Sequence, residues 1–335
     1  MDQQRIREVL RFWGQRIGAV SEIESTHEKP VGLLVNTFFV TTQRGERFVL
    51  KHDLDRPEAK VTVATECDVL QYLDESGVPV AVPILADNEQ RLIESIDGTY
   101  LLLPVLPTDK GDVGPVDKRV VYRNMGRAVA NLHRALAEYP GVVDSWTMNL
   151  TQNLRDQVIP QILCSLTEEK SKKFEETVAT LLPEMDAALA NLPMQHIHGD
   201  CHGGNILVYE GDVSGFIDLD HLPRGPRIYD IGYLMADFAK AHLFGIQTHA
   251  NWLDNFPYIL LGYEQVEPLS TSERDALWFV MLSVQLMFAY WLFKYESVEA
   301  AYKNLESFDW LYERRAEILN RSSAEYIRQL SHNIG

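Results

Sequence analysis

The stretch His198-Gly199-Asp200-Cys201-His202-Gly203-Gly204-Asn205, with Phe216-Ile217-Asp218-Leu219-Asp220 soon after it, constrains this chain more than any other. Met194 to Ile197 reads as a short strand entering a glycine-rich loop. Asn205 to Tyr209 reads as the next strand, Glu210 to Ser214 as a turn, and Gly215 to Leu219 as the returning strand. Such a hairpin sets Asn205 and Asp218 at its open end, and Asp200 on the preceding loop faces the same point. Phosphoryl transfer from a nucleotide needs a base beside the acceptor hydroxyl and two oxygen ligands for Mg²⁺. Asp200, Asn205 and Asp218 are groups of those kinds, in that order.

A polar hairpin using Asp and Asn only as turn residues is the plainer alternative. His196, His198, Asp200 and His202 also resemble an HxHxDH metal-hydrolase signature. Cys201 breaks that spacing, and no later histidine cluster completes a site.

The N-terminal third supplies matching parts. Val35 to Thr42 and Arg47 to Lys51 predict two strands joined by a turn at Gln43-Arg44-Gly45-Glu46. Lys51 ends the second strand, where an ammonium would neutralise nucleotide phosphates. A helix is predicted from about Pro57, a favoured first-turn residue, to Glu75, closed by Gly77. Its apolar face carries Val63, Cys67, Leu70 and Leu73, and Glu66 lies within reach of the sheet. A Lys51–Glu66 ion pair would hold the lysine extended. A lysine at a strand end is ordinarily a solvated charge; Glu66 and the Asp200 loop together reverse that expectation.

Phe48-Val49-Leu50-Lys51, Glu66 through Leu73, Val78-Pro79-Val80-Ala81-Val82-Pro83, Leu132-His133, His198 through Asn205, Ile217-Asp218-Leu219-Asp220 and Tyr229-Asp230-Ile231 run in one order over most of the chain. In that order the chain resembles the aminoglycoside phosphotransferase-like (APH) family, which shares the protein-kinase-like fold. The Asp200 loop and Asp218-Leu219-Asp220 are similar to the bacterial stress-response kinase branch. Gly32-Leu33-Leu34-Val35-Asn36-Thr37-Phe38-Phe39 and Leu261-Gly262-Tyr263 are similar to homoserine kinases.

The resemblance implies an α+β, bilobal protein-kinase-like fold. Residues 1–105 would form a nucleotide-binding lobe, an antiparallel β-sheet with one helix. Residues 106–335 would form a larger, mainly helical catalytic and substrate-binding lobe. Asp200 would be the catalytic base or hydroxyl-orienting group, Asn205 and Asp218 the Mg²⁺ ligands, and Lys51 and Glu66 the phosphate lysine and its partner. Leu103, Pro104 and Leu106 would belong to the hinge that receives adenine. Pro104 has no N–H, so adenine would use the Pro104 carbonyl and the Leu106 N–H. The nucleotide loop has one glycine, Gly32, and no Walker motif occurs. Backbone near Leu34 to Asn36 would then assist Lys51 and the metal. Asp230 is expected to cap a helix starting at Ile231 and to brace the catalytic loop. Asp220 and Glu264 are candidates for meeting a cationic substrate.

Composition sets outer limits. At 335 residues the chain can build two lobes, each with its own core. A formal charge of −17 argues against nucleic acid, whose phosphates demand a basic surface. Acidity suits a cationic substrate and equally an ordinary acidic cytosolic protein. Cys67, Cys164 and Cys201 make no disulfide framework, as expected of a reducing, cytoplasmic setting; Cys201 reads as packing. Residues 1–14 are charged and amphipathic (Ile6, Val9, Leu10, Trp13), so no signal peptide is indicated. Ala276 to Phe293 is apolar except for Ser283 and Gln285, near the lower length of a membrane span. Its scattered aromatics suit a buried helix instead, and no membrane association is expected.

Helices are further predicted over 117–138, 167–192 (one or a pair), 231–243, 252–263, 271–295 and 310–334. Thr108 to Pro115 reads as a loop, and His133 as a hydrogen-bonded core histidine. The expectation for function is ATP- and Mg²⁺-dependent transfer of the γ-phosphate to a small-molecule hydroxyl, on an amino alcohol such as homoserine or an aminoglycoside-type antibiotic. The segment from Asp220 to Asp230 is too short for a peptide-binding activation segment. Protein phosphorylation, as credited to the stress-response relatives, is the alternative. A regulatory pseudokinase would lack one of Lys51, Asp200, Asn205 or Asp218, and none is missing.

Overall fold

A computed structural model describes residues 3–25, 35–54, 61–109, 116–244, 252–295 and 297–332. The first helix, α1 (Gln3–Leu10), buries the apolar stripe of Ile6, Val9 and Leu10, as its spacing predicts. Strands β1 (Val20–Ser25), β2 (Val35–Thr42) and β3 (Arg47–Asp53) follow. Helix α2 (Val63–Glu75) precedes β4 (Ile93–Ser95) and β5 (Gly98–Pro104). These strands form an antiparallel sheet in the order β1-β2-β3-β5-β4. Trp13, Val40, Leu50, Tyr100 and Leu102 centre its core.

Helix α2 starts at Val63 rather than near Pro57, which lies outside the described residues with the rest of 55–60. Thr62 sets the start: its backbone is extended and its hydroxyl accepts from the Thr65 N–H at 3.1 Å. Gly77, at φ +79°, takes the left-handed conformation that closes the helix.

The rest of the chain is mainly helical. It contains α3 (Lys118–Glu138), α4 (Glu168–Leu189), β6 (Met194–His196), β7 (Ile206–Tyr209), β8 (Asp212–Phe216) and β9 (Arg224–Pro226). Then come α5 (Ile228–Leu243), α6 (Pro257–Glu264), α7 (Thr271–Tyr295), α8 (Val298–Glu313), α9 (Arg315–Ser322) and α10 (Ala324–His332). The predicted 252–263 helix is split, because Pro257 has no N–H to continue a preceding helix and instead opens α6. The predicted 310–334 helix is three helices. Ser323, extended at φ −66° and ψ 148°, ends α9, and its hydroxyl accepts from the Tyr326 N–H of α10.

A second, larger core joins α3, α5, α6 and α7. Helix α7 is long and apolar enough to span a membrane, yet 67% of its most apolar window is buried in the protein. Two of its polar side chains donate within that core: Gln285 to the Ala236 carbonyl and Trp278 to the Leu311 carbonyl, both at 2.9 Å. Helices α3 and α6 touch backbone to backbone. A Cβ on Gly126 would lie 1.9 Å from the Ile259 oxygen, and one on Gly262 would lie 1.8 Å from the Arg123 oxygen. Only glycine fits such a crossing.

Candidate active site

The β7–β8 hairpin is tighter than its polar composition predicts. Glu210 (φ +52°) and Gly211 (φ +85°) form a two-residue turn with both residues left-handed, the hairpin turn whose twist matches its strands. Strand β8 therefore begins at Asp212, ends at Phe216, and pairs Phe216 with Ile206. Beyond it the Ile217 N–H donates to the Asn205 carbonyl at 3.1 Å, which sets Asn205 beside Asp218 at the open end. Asp218 lies past the strand in the left-handed region, at φ +57°. Aspartate tolerates that region better than most residues.

The Asp200 loop is held from α5. Both Asp230 oxygens are used: Oδ2 accepts from the His198 N–H at 2.8 Å and Oδ1 from the Gly199 N–H at 2.9 Å. His133 Nε2 donates to Oδ2 at 2.9 Å, and the Tyr263 hydroxyl donates to His133 Nδ1 at 2.9 Å. Asp230 is thus not the cap of α5, which starts at Ile228; its carboxylate braces the loop instead. Gly199 sits at φ +80°, with a Cβ there 2.5 Å from the Pro223 ring. Cys201 is buried, and burial beside Asp230 and Asp200 pushes its thiol well up. It packs, as expected.

Asp200 Oδ2 accepts from Asn205 Nδ2 at 3.0 Å, and Oδ1 accepts from the Tyr233 hydroxyl at 2.6 Å. Asn205 Nδ2 also donates to the Asp200 carbonyl at 2.9 Å. The amide nitrogen is therefore committed to Asp200, which leaves the amide oxygen directed away from that carboxylate. An amide oxygen and a half-exposed carboxylate make a hard donor pair suited to Mg²⁺. On the other side of Asp218, Lys51 Nζ lies 3.3 Å from its Oδ1 and 3.3 Å from Glu66 Oε1. Lys51 and Glu66 are 8% and 2% exposed, so their charges meet in a largely desolvated wall. Lys51 and Asp218 thus form one side-chain pair and Asn205 and Asp200 another, set side by side by the Ile217–Asn205 backbone hydrogen bond.

Lys51 and Asp218 border a cavity of about 380 Å³ between the sheet and the hairpin. Its walls are apolar: Phe39, Val49, Ala81, Leu103, Leu207 and Phe216 face it, with Lys51 and Asp218 at its polar end. Leu103, Pro104 and Leu106 line it as well. Leu106 closes onto Gly215, where a Cβ would lie 2.2 Å from Leu106 Cδ1.

Asn36, Asp220 and Glu264 are not among the residues lining that cavity. The Asn36 side chain turns to the opposite face of β2, where Nδ2 donates to His52 Nδ1 at 3.4 Å. Thr37 and Phe39 line the cavity in its stead, as strand alternation dictates. Gly32 to Leu34, and most of the 108–115 loop, lie outside the described residues. Asp220 is 2% exposed; its carbonyl accepts from the Val61 N–H at 2.9 Å and its Oδ1 lies 3.0 Å from His221 Nδ1. Glu264 ends α6 and pairs with Arg274 of α7, apart from the Asp200 loop. His198 Nε2 meets the Ile217 carbonyl and His196 Nδ1 the Leu222 carbonyl. Among the described residues no cluster of three or more His, Cys, Asp or Glu could hold a metal, which leaves the hydrolase signature without a centre.

Sequence reasoning missed Tyr233 and Asp237, whose Oδ2 accepts from the Gly203 N–H at 3.1 Å. Asp230, Tyr233 and Asp237 stand at i, i+3 and i+7 of α5. That helical period was the available signal.

A profile of the phosphotransferase enzyme family (APH) matches residues 30–269. A homoserine kinase of Neisseria meningitidis serogroup B is 27% identical over 249 residues, covering 72% of this chain and 74% of the relative. Stress response kinase A of Salmonella typhi is 26% identical over 231 residues, 68% and 65% of the two chains. In structure the chain is similar to the amicoumacin kinase solved with AMP-PNP, Ca²⁺ and Ami, with a TM-score of 0.65, 15% identity, and coverage of 98% and 97%.

Proposed function

The chain belongs to the phosphotransferase enzyme family, and on that premise we propose that it transfers the γ-phosphate of ATP to a hydroxyl of a small amino alcohol such as homoserine, or of an aminoglycoside-type antibiotic. The observation that carries this is the placing of Lys51 and Asp218 at the polar end of one cavity, with the Asn205–Asp200 pair beside Asp218 at the open end of the hairpin. Residues 1–105 act as the nucleotide lobe and residues 106–335 as the catalytic lobe. Adenine occupies the apolar cavity against Leu103 to Leu106. Glu66 keeps Lys51 extended toward the phosphates, and Lys51 offsets their charge. Asn205 Oδ1 and the Asp218 carboxylate would hold Mg²⁺, which supplies further charge neutralisation at the phosphate oxygens. Asp200 accepts the hydrogen bond of the acceptor hydroxyl and orients its oxygen for in-line attack. Because such transfer depends on positioning and charge stabilisation, no covalent intermediate is required.

A small acceptor is favoured over a protein by the chain that follows Asp220. Strand β9 returns at once to pair with β6, and α5 begins at Ile228, which leaves no length for a peptide platform. The similarity to stress response kinase A supports serine/threonine protein phosphorylation as the second reading. ADP release is measured with Mg·ATP and homoserine, aminopropanol, a sugar alcohol, an aminoglycoside or a generic protein substrate. Turnover with a small hydroxylated amine and none with protein is expected. Turnover confined to protein would replace this proposal with the second reading.

A further inference from the structure

Asp200 lies on a loop with no ladder of its own, yet both oxygens of its carboxylate are tethered. The tethers differ in kind. Asn205 belongs to the same loop and is itself a proposed metal ligand. Tyr233 comes from α5, and its ring is 5% exposed. It is wedged edge-on against Tyr229 and Phe288, at centroid distances of 6.0 and 5.5 Å, with the His202 ring 5.9 Å away.

One face of α5 fastens the loop at three points. Asp230 holds the His198 and Gly199 N–H groups, and Asp237 holds that of Gly203. Those two secure backbone, whereas Tyr233 reaches the carboxylate itself. Burial and the charge of Asp200 push the Tyr233 phenol far above its ordinary range. It therefore keeps its proton and donates a hydrogen bond to Asp200 Oδ1.

We infer that Tyr233 is a positioning residue for phosphoryl transfer, its hydroxyl fixing the rotamer of Asp200 so that the remaining lone pairs face the acceptor. The inference rests on Asp200 being the group that orients the acceptor. A carboxylate free to rotate spends only part of its time in the reactive geometry, and a hydrogen bond from a caged ring removes that freedom at the transition state.

The test is a double-mutant cycle on turnover, with homoserine as acceptor and, in parallel, water as acceptor (ADP release from Mg·ATP alone). Tyr233→Phe keeps the ring and its packing. It is expected to lower kcat by about 10- to 100-fold, the scale of one hydrogen bond to a charged group. The KM for ATP should stay within about twofold, because ground-state nucleotide binding is not involved. In an Asp200→Asn background the same change should alter turnover by less than about twofold, since the group it acts through is gone. Tyr229→Phe removes a hydroxyl from the same cage, one that meets Met287 Sδ at 3.9 Å, and should leave kcat in place. Equal losses in both backgrounds, or the same loss in Tyr229→Phe, would overturn the positioning role. Absent homoserine turnover in the unaltered protein counts against the proposed acceptor, while the water reaction still decides Tyr233.

Discussion

Replacing Glu66 by glutamine tests the reading of the cavity most directly. Removing one partner of a buried ion pair typically costs about 3–5 kcal/mol, because the other charge is left uncompensated. Here Lys51 keeps the Asp218 carboxylate at 3.3 Å, and glutamine retains the volume of Glu66. The stability cost should fall to about 1–3 kcal/mol, the scale of one charged hydrogen bond. Function should suffer differently. On the proposed reading Asp218 would hold Mg²⁺ when nucleotide binds, and Lys51 in the variant would be held extended less firmly. Nucleotide affinity is expected to drop about tenfold, equivalent to about 1.4 kcal/mol. Turnover should drop about a further tenfold, because a mobile ammonium stabilises developing phosphate charge less well. Calorimetric titration with AMP-PNP and Mg²⁺, ADP release and thermal melting separate the three effects. A Glu66→Gln protein with affinity and kcat both within twofold of the parent would refute the assignment of Lys51 to the phosphates.

Asp200→Ala and Asp218→Ala should each lose roughly 10²–10⁴-fold in kcat; AMP-PNP affinity measured by titration should survive in the first and weaken in the second. Gly262→Ala drives a methyl into the Arg123 carbonyl, so a loss of about 1–3 kcal/mol and a melting point lower by roughly 5 °C are expected in calorimetry. Burial holds the His52 imidazole below its ordinary range. Its contribution to stability is therefore full above about pH 6.5, the unfolded value, and declines as pH falls from there through the folded value. Urea midpoints between pH 8 and 5 should show that acid-side loss, and His52→Gln should flatten it.

How far the sequence could be read depended on how local each cause was. The Asp200–Asn205–Asp218 arrangement is fixed by a hairpin that closes on itself, so its spacing was enough. The Lys51–Glu66 pair likewise joins neighbouring elements. Strand β1, where only Ile23 of Val20–Ser25 is buried, exists because β2 pairs with it, and its own pattern announces little. Glu210 in a left-handed conformation is dictated by strand twist rather than by side-chain preference, so the turn appeared longer than it is. Asp230 resembled a cap because helix starts are visible locally. Its actual partners, His198 and His133, come from distant parts of the chain and meet it only in the folded core. The alternation of β2 decides which side chains see the cavity: Thr37 and Phe39 line it while the Asn36 side chain meets His52, and a one-residue error in register would invert that pattern.

Helix α2 has divided allegiance. Its Val63 and Cys67 meet Leu101 of the sheet in a small apolar patch, whereas Val69, Leu70 and Leu73 sink into the large helical core. Just ahead of it the Val61 N–H is clasped by the Asp220 carbonyl, and just after it the Pro79 carbonyl receives the Phe216 N–H. Glu66 is consequently moored to the rear of the protein, while Lys51 travels with the front. Any rocking of the sheet over the hairpin must stretch or shorten the contacts of Lys51 with both Glu66 and Asp218, which makes the Lys51–Glu66 separation a built-in gauge of that motion.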